Sequence, residues 1–296
     1  MRPLILVPTV FEAVQVFGEI ARGPLSTDGH ATARYLLRDD GEYEVHIRGS
    51  VSDPSPVDFA PALERERAVE VAIEVCGFGL AASGIGAMNA LAREGRLNRP
   101  SGSEYGEPSP GGRPATILIG IAGSFDLGAA PVGSVVIGSR ATCDGIGAGT
   151  GNDFVAAGAM GWSQGHARKG IQPVQDTIEL DSWLIDDLPR SELTDRVFFG
   201  GEVLSVSAAS GSADDAQTRR IRHAEALIED MEAFAVALAT RLSGGSMTLI
   251  RGVSNAVGDR DHRNWKTGAA LGAVSRVLAA AIGLARSNPG FHRFGR

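Results

Sequence analysis

The sequence is poor in cysteine and in aromatic residues, and it has no excess of positive charge. Only two cysteines, Cys76 and Cys143, occur among 296 residues, so the pattern indicates reduced thiols in a cytoplasmic protein and no disulfide framework. The formal net charge of -7 gives the chain no electrostatic footprint for nucleic acid, so no nucleic-acid partner is expected. With 43% hydrophobic and 21% charged residues, the composition is ordinary for a soluble protein with a real core.

Apolar runs that would indicate a signal peptide or a membrane span are also missing. The N-terminal "MRPLILVPTVF" is interrupted by Pro3 and Pro8 and soon followed by Glu12, which predicts a first strand. Near the C-terminus, "GAALGAVSRVLAAAIGLA" is interrupted by Arg276 and consists mostly of Ala and Gly, which predicts a packed terminal helix. We therefore expect no membrane partner.

Metal-binding and nucleophile motifs are absent as well. The six histidines are scattered without HxH or HExxH spacing, and no GxSxG elbow occurs. The stretch "GFGLAA" at residues 77–82 nearly fits a dinucleotide fingerprint, but it lacks the acidic residue that should follow about 20 positions later. We therefore expect no metal and no cofactor.

What the sequence does contain is an alternation of apolar strands and helical segments. "LILVPT", "ATILIGIAGS" and "SMTLIRGVSN" are continuously apolar, which predicts strands buried on both faces of a sheet. "VFEAVQVFGEIA", "GAMNALAREG" and "AEALIEDMEAFAVALATRL" have helical spacing. These patterns predict an α/β protein with a largely parallel sheet, forming one domain over residues 1–296 with a Pro/Gly/Ser-rich surface loop at 96–114.

Shorter patterns predict the remaining elements. "ARYLLRDDGEYEVHIRG" predicts a hairpin turning at "DDG", "VGSVVIGSRAT" a single strand, and "RVFFGGEVLSVSAAS" two short strands broken at "GG". "SGIG" at residues 83–86 is interpreted as a strand end, where Ser83 and Gly86 would let the backbone approach a ligand; a tight strand-to-helix turn is an equal alternative.

Four carboxylates are candidates for chemistry. Glu12 follows the first strand, and Glu229, Asp230 and Glu232 fall on the predicted helix "EDMEAFAVA". Because Glu232 is flanked by apolar residues, it is either exposed on an amphipathic face or buried with a hydrogen-bonding partner such as a pair of sugar hydroxyls.

The order of "GIAGS", "VGSVVIGS", "EDMEAFAVA" and "IRGVSN" resembles the purine nucleoside phosphorylase/nucleosidase superfamily. Within it, "CGFGLAASGIG", "GIAGSF" and "SNAVGDRDHRNW" are most similar to the futalosine hydrolases, which release hypoxanthine and dehypoxanthine futalosine in bacterial menaquinone biosynthesis. The resemblance implies a three-layer αβα sandwich with a mixed, largely parallel central sheet, a purine nucleoside substrate and a homodimer or higher homo-oligomer.

The resemblance also implies roles for individual residues. Glu12 would activate water, Met231 and Glu232 would pack on the ribose and accept its hydroxyls, and Asn255 would face the base. The base-stacking segment of the family falls near Ser207–Gly211, where no individual role is assigned. Asp is typical of this base-facing position in nucleosidases for 6-aminopurines. Two donors on the Asn255 amide would instead suit O6 and N7 of a 6-oxopurine such as hypoxanthine.

Two alternatives concern the attacking group and the last loop. Phosphorylases often carry an arginine before the strand corresponding to "ATILIGIAGS"; Arg113 falls in the predicted loop, so hydrolysis is favoured. In "GDRDHRNW", the charges either pair among themselves in a solvated loop or shape a pocket for an aromatic carboxylate arm, with Arg260 binding the carboxylate and Trp265 forming a wall.

Other functions remain as alternatives. A methylthioadenosine/adenosylhomocysteine or aminodeoxyfutalosine nucleosidase would differ in substrate, and a 6-oxopurine nucleoside phosphorylase would use phosphate. A nucleoside-binding protein without catalysis and a dinucleotide-dependent oxidoreductase are the more distant possibilities.

Overall fold

Strands and helices alternate along most of the chain. The computed structural model describes residues 3–18, 25–26, 29–37, 43–48, 68–97, 116–166, 172–181, 188, 193 and 196–287. The strands are β1 (Leu4–Val7), β2 (His30–Leu37), β3 (Tyr43–Arg48), β4 (Ala68–Val75), β5 (Thr116–Ser124), β6 (Val135–Gly138), β7 (Arg140–Asp144), β8 (Gly147–Ala148), β9 (Val155–Ala156), β10 (Thr177–Glu179), β11 (Val197–Phe199), β12 (Glu202–Val206), β13 (Ala226–Asp230) and β14 (Met247–Ala256). The α-helices are α1 (Val10–Phe17), α2 (Gly79–Arg93), α3 (Ala213–Arg222), α4 (Ala233–Leu242) and α5 (Thr267–Ser287).

Most of these strands form one mixed sheet centred on β5. Its order is β10-β7-β12-β13-β5-β1-β4-β2-β3, with β14 beside β5, β6 beside β14 and β11 beside β6. β1, β4, β5 and β14 are parallel, whereas β13 runs antiparallel to the end of β5. The carboxyl ends of the four parallel strands therefore meet at one edge, where α/β proteins place their ligand sites.

Helices cover both faces of this sheet. Along β1, Ile5 and Val7 pack into a layer with α1 and α5, while Leu4 and Leu6 pack into the opposite layer with α2 and α4. All four side chains are buried, and each large aliphatic side chain removed from water contributes about 1.5–3 kcal/mol. Burial on both faces explains why this strand is apolar without alternation, and the predicted α/β architecture is confirmed.

Several shorter predictions are also confirmed. β2 and β3 form an antiparallel hairpin whose turn, including "DDG", lies outside the described residues. β11 and β12 are separated by Gly200 and Gly201, whose φ angles of +84° and +111° suit glycine at the break. The terminal segment forms α5, and no helix within the described part of the chain has both the length and the hydropathy of a membrane span.

The helix predicted for "AEALIEDMEAFAVALATRL" is wrong in its first half. Ala226–Asp230 forms strand β13, and α4 begins only at Ala233, so Glu229 and Asp230 lie on a strand and Glu232 precedes the helix. The backbone of β13 bonds to both β12 and β5, and this tertiary pairing overrides the local helical spacing.

Two further predictions need correction. "SGIG" does not lie at a strand end, because β4 stops at Val75 and residues 83–86 are inside α2. "VGSVVIGSRAT" forms two strands, β6 and β7, which join different neighbours in the sheet.

Residues 98–115 lie outside the described chain, and with them Arg113 and most of the predicted 96–114 loop. The single domain over residues 1–296 and this loop stay predictions.

Candidate active site

A cavity of about 540 Å³ opens where β1, β5 and β14 end. Its walls come from residues that are far apart in sequence, and they include six of the eight predicted site residues: Glu12, Met231, Glu232, Asn255, Arg260 and Trp265. This volume falls within the range of small-molecule sites.

The other two predicted residues, Ser83 and Gly86, are not part of the cavity lining. Ser83 is fully buried in α2, where its hydroxyl donates a hydrogen bond to the Leu80 carbonyl oxygen at 3.4 Å. A Cβ on Gly86 would lie 1.9 Å from the Cys76 carbonyl oxygen, so this glycine lets α2 approach the chain after β4. A little earlier in the chain, Phe78 lines the cavity and the Gly79 N–H donates to Glu232 Oε1 at 3.0 Å.

Glu12 is held by the start of α1. Thr9 caps the helix by accepting from the Glu12 N–H at 3.2 Å, and its hydroxyl donates to Glu12 Oε2 at 2.8 Å. Ile121 N–H donates to Oε1 at 3.1 Å. Burial raises the pKa of Glu12 above its ordinary value, although nearby Arg251 partly offsets the effect. A carboxylate with a raised pKa and a free lone pair suits a general base.

Arg251 organises the acidic side of the cavity, and the sequence analysis missed it. Its side chain is fully buried in β14, with Nε and Nη2 donating to Asp230 Oδ2 at 3.0 and 2.6 Å. Nη2 also donates to Glu232 Oε2 at 3.1 Å, and Nη1 donates to the Ile119 carbonyl. A buried guanidinium must be paired, so the lone arginine within the apolar "TLIRGV" was a usable signal.

Glu232 is buried with partners, which decides between the two interpretations left open by the sequence. Gly79 binds Oε1 and Arg251 binds Oε2, so both oxygens have fixed directions. Burial raises the pKa of Glu232 to about 7; Asp230 and Glu12 also raise it, whereas Arg251 lowers it. Glu232 is therefore poised to gain or lose charge near neutral pH.

The amide of Asn255 has a fixed orientation. Nδ2 donates to the Ala256 carbonyl at 2.7 Å, and because a carbonyl only accepts, this contact identifies the amide nitrogen. Oδ1 accepts from the Ser254 hydroxyl at 2.7 Å. One N–H and one oxygen lone pair remain, so this structure leaves one amide hydrogen, not two, for a bound base.

The loop after β14 forms an aromatic rim on the cavity. The Arg260 guanidinium lies 5.2 Å from the Trp265 ring centroid, and His262 stacks on the same ring at 4.4 Å. Trp265 is fixed by its indole N–H, which donates to the Asp259 carbonyl at 3.0 Å. Asp261 pairs with Arg263, as one interpretation expected, whereas Arg260 forms no ion pair with any carboxylate in the described part of the chain.

Comparison with known proteins gives consistent relatives. The family model of the phosphorylase superfamily matches residues 68–284. A futalosine hydrolase from Streptomyces coelicolor is 31% identical over 209 residues, which cover 68% of this chain and 77% of that protein. A futalosine hydrolase from Acidothermus cellulolyticus is 37% identical over 90 residues, covering 30% of this chain and 36% of that protein.

Solved structures with the same fold are more distant in sequence. A 5′-methylthioadenosine/S-adenosylhomocysteine nucleosidase from Neisseria meningitidis, bound to methylthio-immucillin-A, has a TM-score of 0.60 at 14% identity and covers 97% of this chain and 100% of its own. A nucleosidase of the same kind from Streptococcus pneumoniae has a TM-score of 0.59 at 17% identity, covering 95% and 98%. These likenesses establish the nucleoside phosphorylase/hydrolase type of fold.

Proposed function

Because this chain belongs to the phosphorylase superfamily and, within it, to the futalosine hydrolases, we propose that it hydrolyses the N-glycosidic bond of futalosine. The products are hypoxanthine and dehypoxanthine futalosine, as the futalosine route of menaquinone biosynthesis requires. The observation that carries the proposal is one cavity lined by Glu12, Glu232 and Asn255, which come from three distant parts of the chain.

Glu12 acts on the attacking water, and Glu232 acts on the ribose. Glu12 takes a proton from water as the water oxygen bonds to the anomeric carbon, while the carbon–nitrogen bond breaks and its electron pair goes to the purine. Glu232 accepts hydrogen bonds from the ribose hydroxyls and offsets the positive charge that develops on the sugar. Met231, which also lines the cavity, packs against the ribose.

Asn255 serves the leaving base. Its remaining N–H donates to O6, and Oδ1 accepts from N7–H of hypoxanthine that has gained a proton from solvent. This pairing requires a 6-oxopurine, because a 6-amino group would face the amide N–H as a second donor. A well-placed donor to the charge that develops on the base contributes roughly 3 kcal/mol to the transition state.

Water is a better nucleophile for this cavity than phosphate. Glu12, Asp230 and Glu232 all line it, whereas the nearby Arg251 already binds Asp230 and Glu232. A phosphate dianion beside these carboxylates would be repelled, since like charges at close range in a partly buried site cost several kcal/mol.

The rim of the cavity fits the rest of the substrate. Arg260, held over Trp265, binds the aromatic carboxylate carried on the far side of the ribose, and Trp265 packs against the aromatic ring. This assignment explains why Arg260, which has no carboxylate partner among the residues that the structure describes, lies beside an otherwise acidic cavity.

A homodimer suits the exposed apolar surface. Phe78 at the cavity mouth is 64% exposed, and Trp162, beside a second cavity of about 450 Å³, is 70% exposed. Aromatic side chains are enriched at protein interfaces, so these two are the expected contact points of a dimer. Light scattering on the purified protein should give twice the monomer mass; a monomer would contradict the dimer.

Cys76 and Cys143 are free and buried, which suits a reducing cytoplasm.

The proposed function is tested by incubating the purified protein with futalosine, inosine, aminodeoxyfutalosine and methylthioadenosine, with and without phosphate, and separating the free bases by chromatography. Hypoxanthine release from futalosine without phosphate is expected. A requirement for phosphate would indicate the phosphorylase alternative. Release of adenine from the amino substrates, with futalosine left intact, would indicate the methylthioadenosine/adenosylhomocysteine or aminodeoxyfutalosine nucleosidase alternative.

A further inference from the structure

Residues 207–211, which we name the base-side wall, contain no aromatic or long side chain. The sequence there is "SAASG", and Ala209 reaches the cavity. Such a wall has no bulky side chain to pack it in place, so other contacts must fix its position.

Arg219 of α3 and Glu229 of β13 supply these contacts. Glu229 accepts from Ser210 N–H at 2.9 Å and from its hydroxyl at 2.7 Å. Arg219 Nη1 donates to Glu229 Oε2 at 2.7 Å and to the Ser210 hydroxyl at 2.8 Å, and Nη2 donates to the Ala208 carbonyl at 2.7 Å. The wall is thereby tied to one partly buried ion pair.

This ion pair lies next to the proposed position of the base. Glu229 and Asn255 pair with the same residue, Gly123, from opposite sides of β5, which puts their backbones roughly 10 Å apart across one intervening strand. Beyond Asn255, the backbone of Gly258 approaches Ser212, the residue that directly follows the wall, so closely that a Cβ there would lie 2.4 Å from Ser212 O. The chain just after the wall is therefore packed against the chain just after Asn255.

The Arg219–Glu229 ion pair also changes the net charge beside the departing base. Glu229 lines the cavity with a side chain only 6% exposed, and the departing purine carries negative charge. Arg219 stands between Glu229 and a second buried acid, Asp144, whose Oδ2 lies 3.1 Å from its Nε in a second ion pair. Without Arg219, Asp144 would keep Arg222, whereas Glu229 would lose its cation.

We propose that Arg219 and Glu229 are positioning residues for the leaving base: their ion pair fixes the base-side wall beside Asn255 and neutralises the Glu229 charge that would oppose base departure. The inference rests on the proposed function, because it requires a purine that leaves with negative charge.

The test compares R219M, E229Q and the double variant R219M/E229Q with wild type, using base release and hypoxanthine affinity by calorimetry. In R219M, KM and the hypoxanthine Kd should rise and kcat should fall, each roughly tenfold, as expected for a buried acid left without its partner. The double variant should regain most of kcat, because the uncompensated charge is gone, while KM stays raised because the wall is still loose.

R220M is the matched control. Arg220 is the next residue on α3, but it pairs at the surface with Asp126, so kcat and KM should stay within about twofold of wild type. R219M with wild-type kcat, KM and hypoxanthine affinity would overturn the inference. The inference would also be overturned if R219M lowered only the melting temperature, or if the double variant did not recover kcat.

If R219M does not fold, R219K keeps the charge but loses the fork of hydrogen bonds, and its KM should rise while kcat changes little. An unchanged KM in R219K would then overturn the inference. Wild-type protein that releases no base from any nucleoside would instead refute the proposed function, independently of these variants.

Discussion

Arg251 Nη2 lies 3.1 Å from Glu232 Oε2, inside a protein interior where this arginine is the shared cation of several carboxyl groups. The same Nη2 donates to Asp230 at 2.6 Å, so Glu232 receives only part of its charge. One cation among Glu12, Asp230 and Glu232 leaves the group with an excess of negative charge, which favours a retained proton. Burial raises the pKa of Glu12 and raises that of Glu232 to about 7, so these two carboxyl groups are the candidates to hold the proton near neutral pH.

Activity should therefore depend on pH in the neutral range. Glu232 must be ionised to offset the ribose charge, so kcat/KM should rise as the pH increases from 5 to 8, with an apparent pKa near 7. Stability should change in the opposite direction: the folded-state pKa lies above the ordinary value of 4.5, so the free energy of unfolding should decrease between pH 4.5 and 7. Rate profiles and urea melts measure both trends. A flat rate profile from pH 5 to 8 would contradict the role of Glu232.

Glu12→Gln should abolish most catalysis without affecting hypoxanthine binding. Glutamine has the same size but cannot accept the proton of water, so kcat should fall roughly 10²–10⁴-fold. Glu225→Gln is the control, because the Glu225 side chain is 76% exposed and lies on the surface beside Arg140. Steady-state rates with futalosine and calorimetry with hypoxanthine separate the two effects. An E12Q variant with near-wild-type kcat would assign the base to another group.

The resemblance to the nucleosidase superfamily singled out Glu12 and Asn255, and the local pattern agrees with it because each residue lies within a few positions of the end of an apolar strand. The position of Arg251 inside an apolar strand indicates that it must be paired, but its partners Asp230 and Glu232 are identified only by the fold. Asp230 and Glu232 come from a segment whose apolar spacing fits helix and strand equally well over five residues. Its strand state follows from pairing with β12 and β5, which no local pattern contains.

Gly120→Ala should displace two side chains of the site, those of Arg251 and Glu12. A Cβ at Gly120 would lie 2.0 Å from Arg251 Nη1 and 2.8 Å from Glu12 Oε1, so both groups must move. We expect a loss of roughly 1–3 kcal/mol in stability and a fall in kcat. Gly268→Ala in α5 is the control, since a Cβ there meets nothing within 4 Å and alanine favours helices. Thermal melts and rates test both; a fully active G120A would mean that the Arg251 contacts are not needed.

Asn255→Asp should lower activity on futalosine more than on 6-aminopurine nucleosides. The oxygen that replaces Nδ2 would face the Ala256 carbonyl at 2.7 Å, so the new acid must keep its proton there and has no donor left for O6. A 6-amino group does not need that donor. The kcat/KM ratio of aminodeoxyfutalosine to futalosine should rise roughly tenfold or more, even though both values decrease. An unchanged ratio would show that residue 255 does not distinguish an oxygen from an amino group at C6 of the purine.

Arg260→Met should weaken futalosine binding selectively. Methionine keeps an apolar contact with Trp265 but removes the cation proposed to bind the substrate carboxylate, so KM for futalosine should rise roughly tenfold. Inosine lacks the aromatic carboxylate, and its KM should not change. Arg263→Met is the matched control, because Arg263 already pairs with Asp261 and its side chain is 89% exposed. If R260M raised KM equally for futalosine and inosine, Arg260 would be shaping the cavity and not reading the carboxylate.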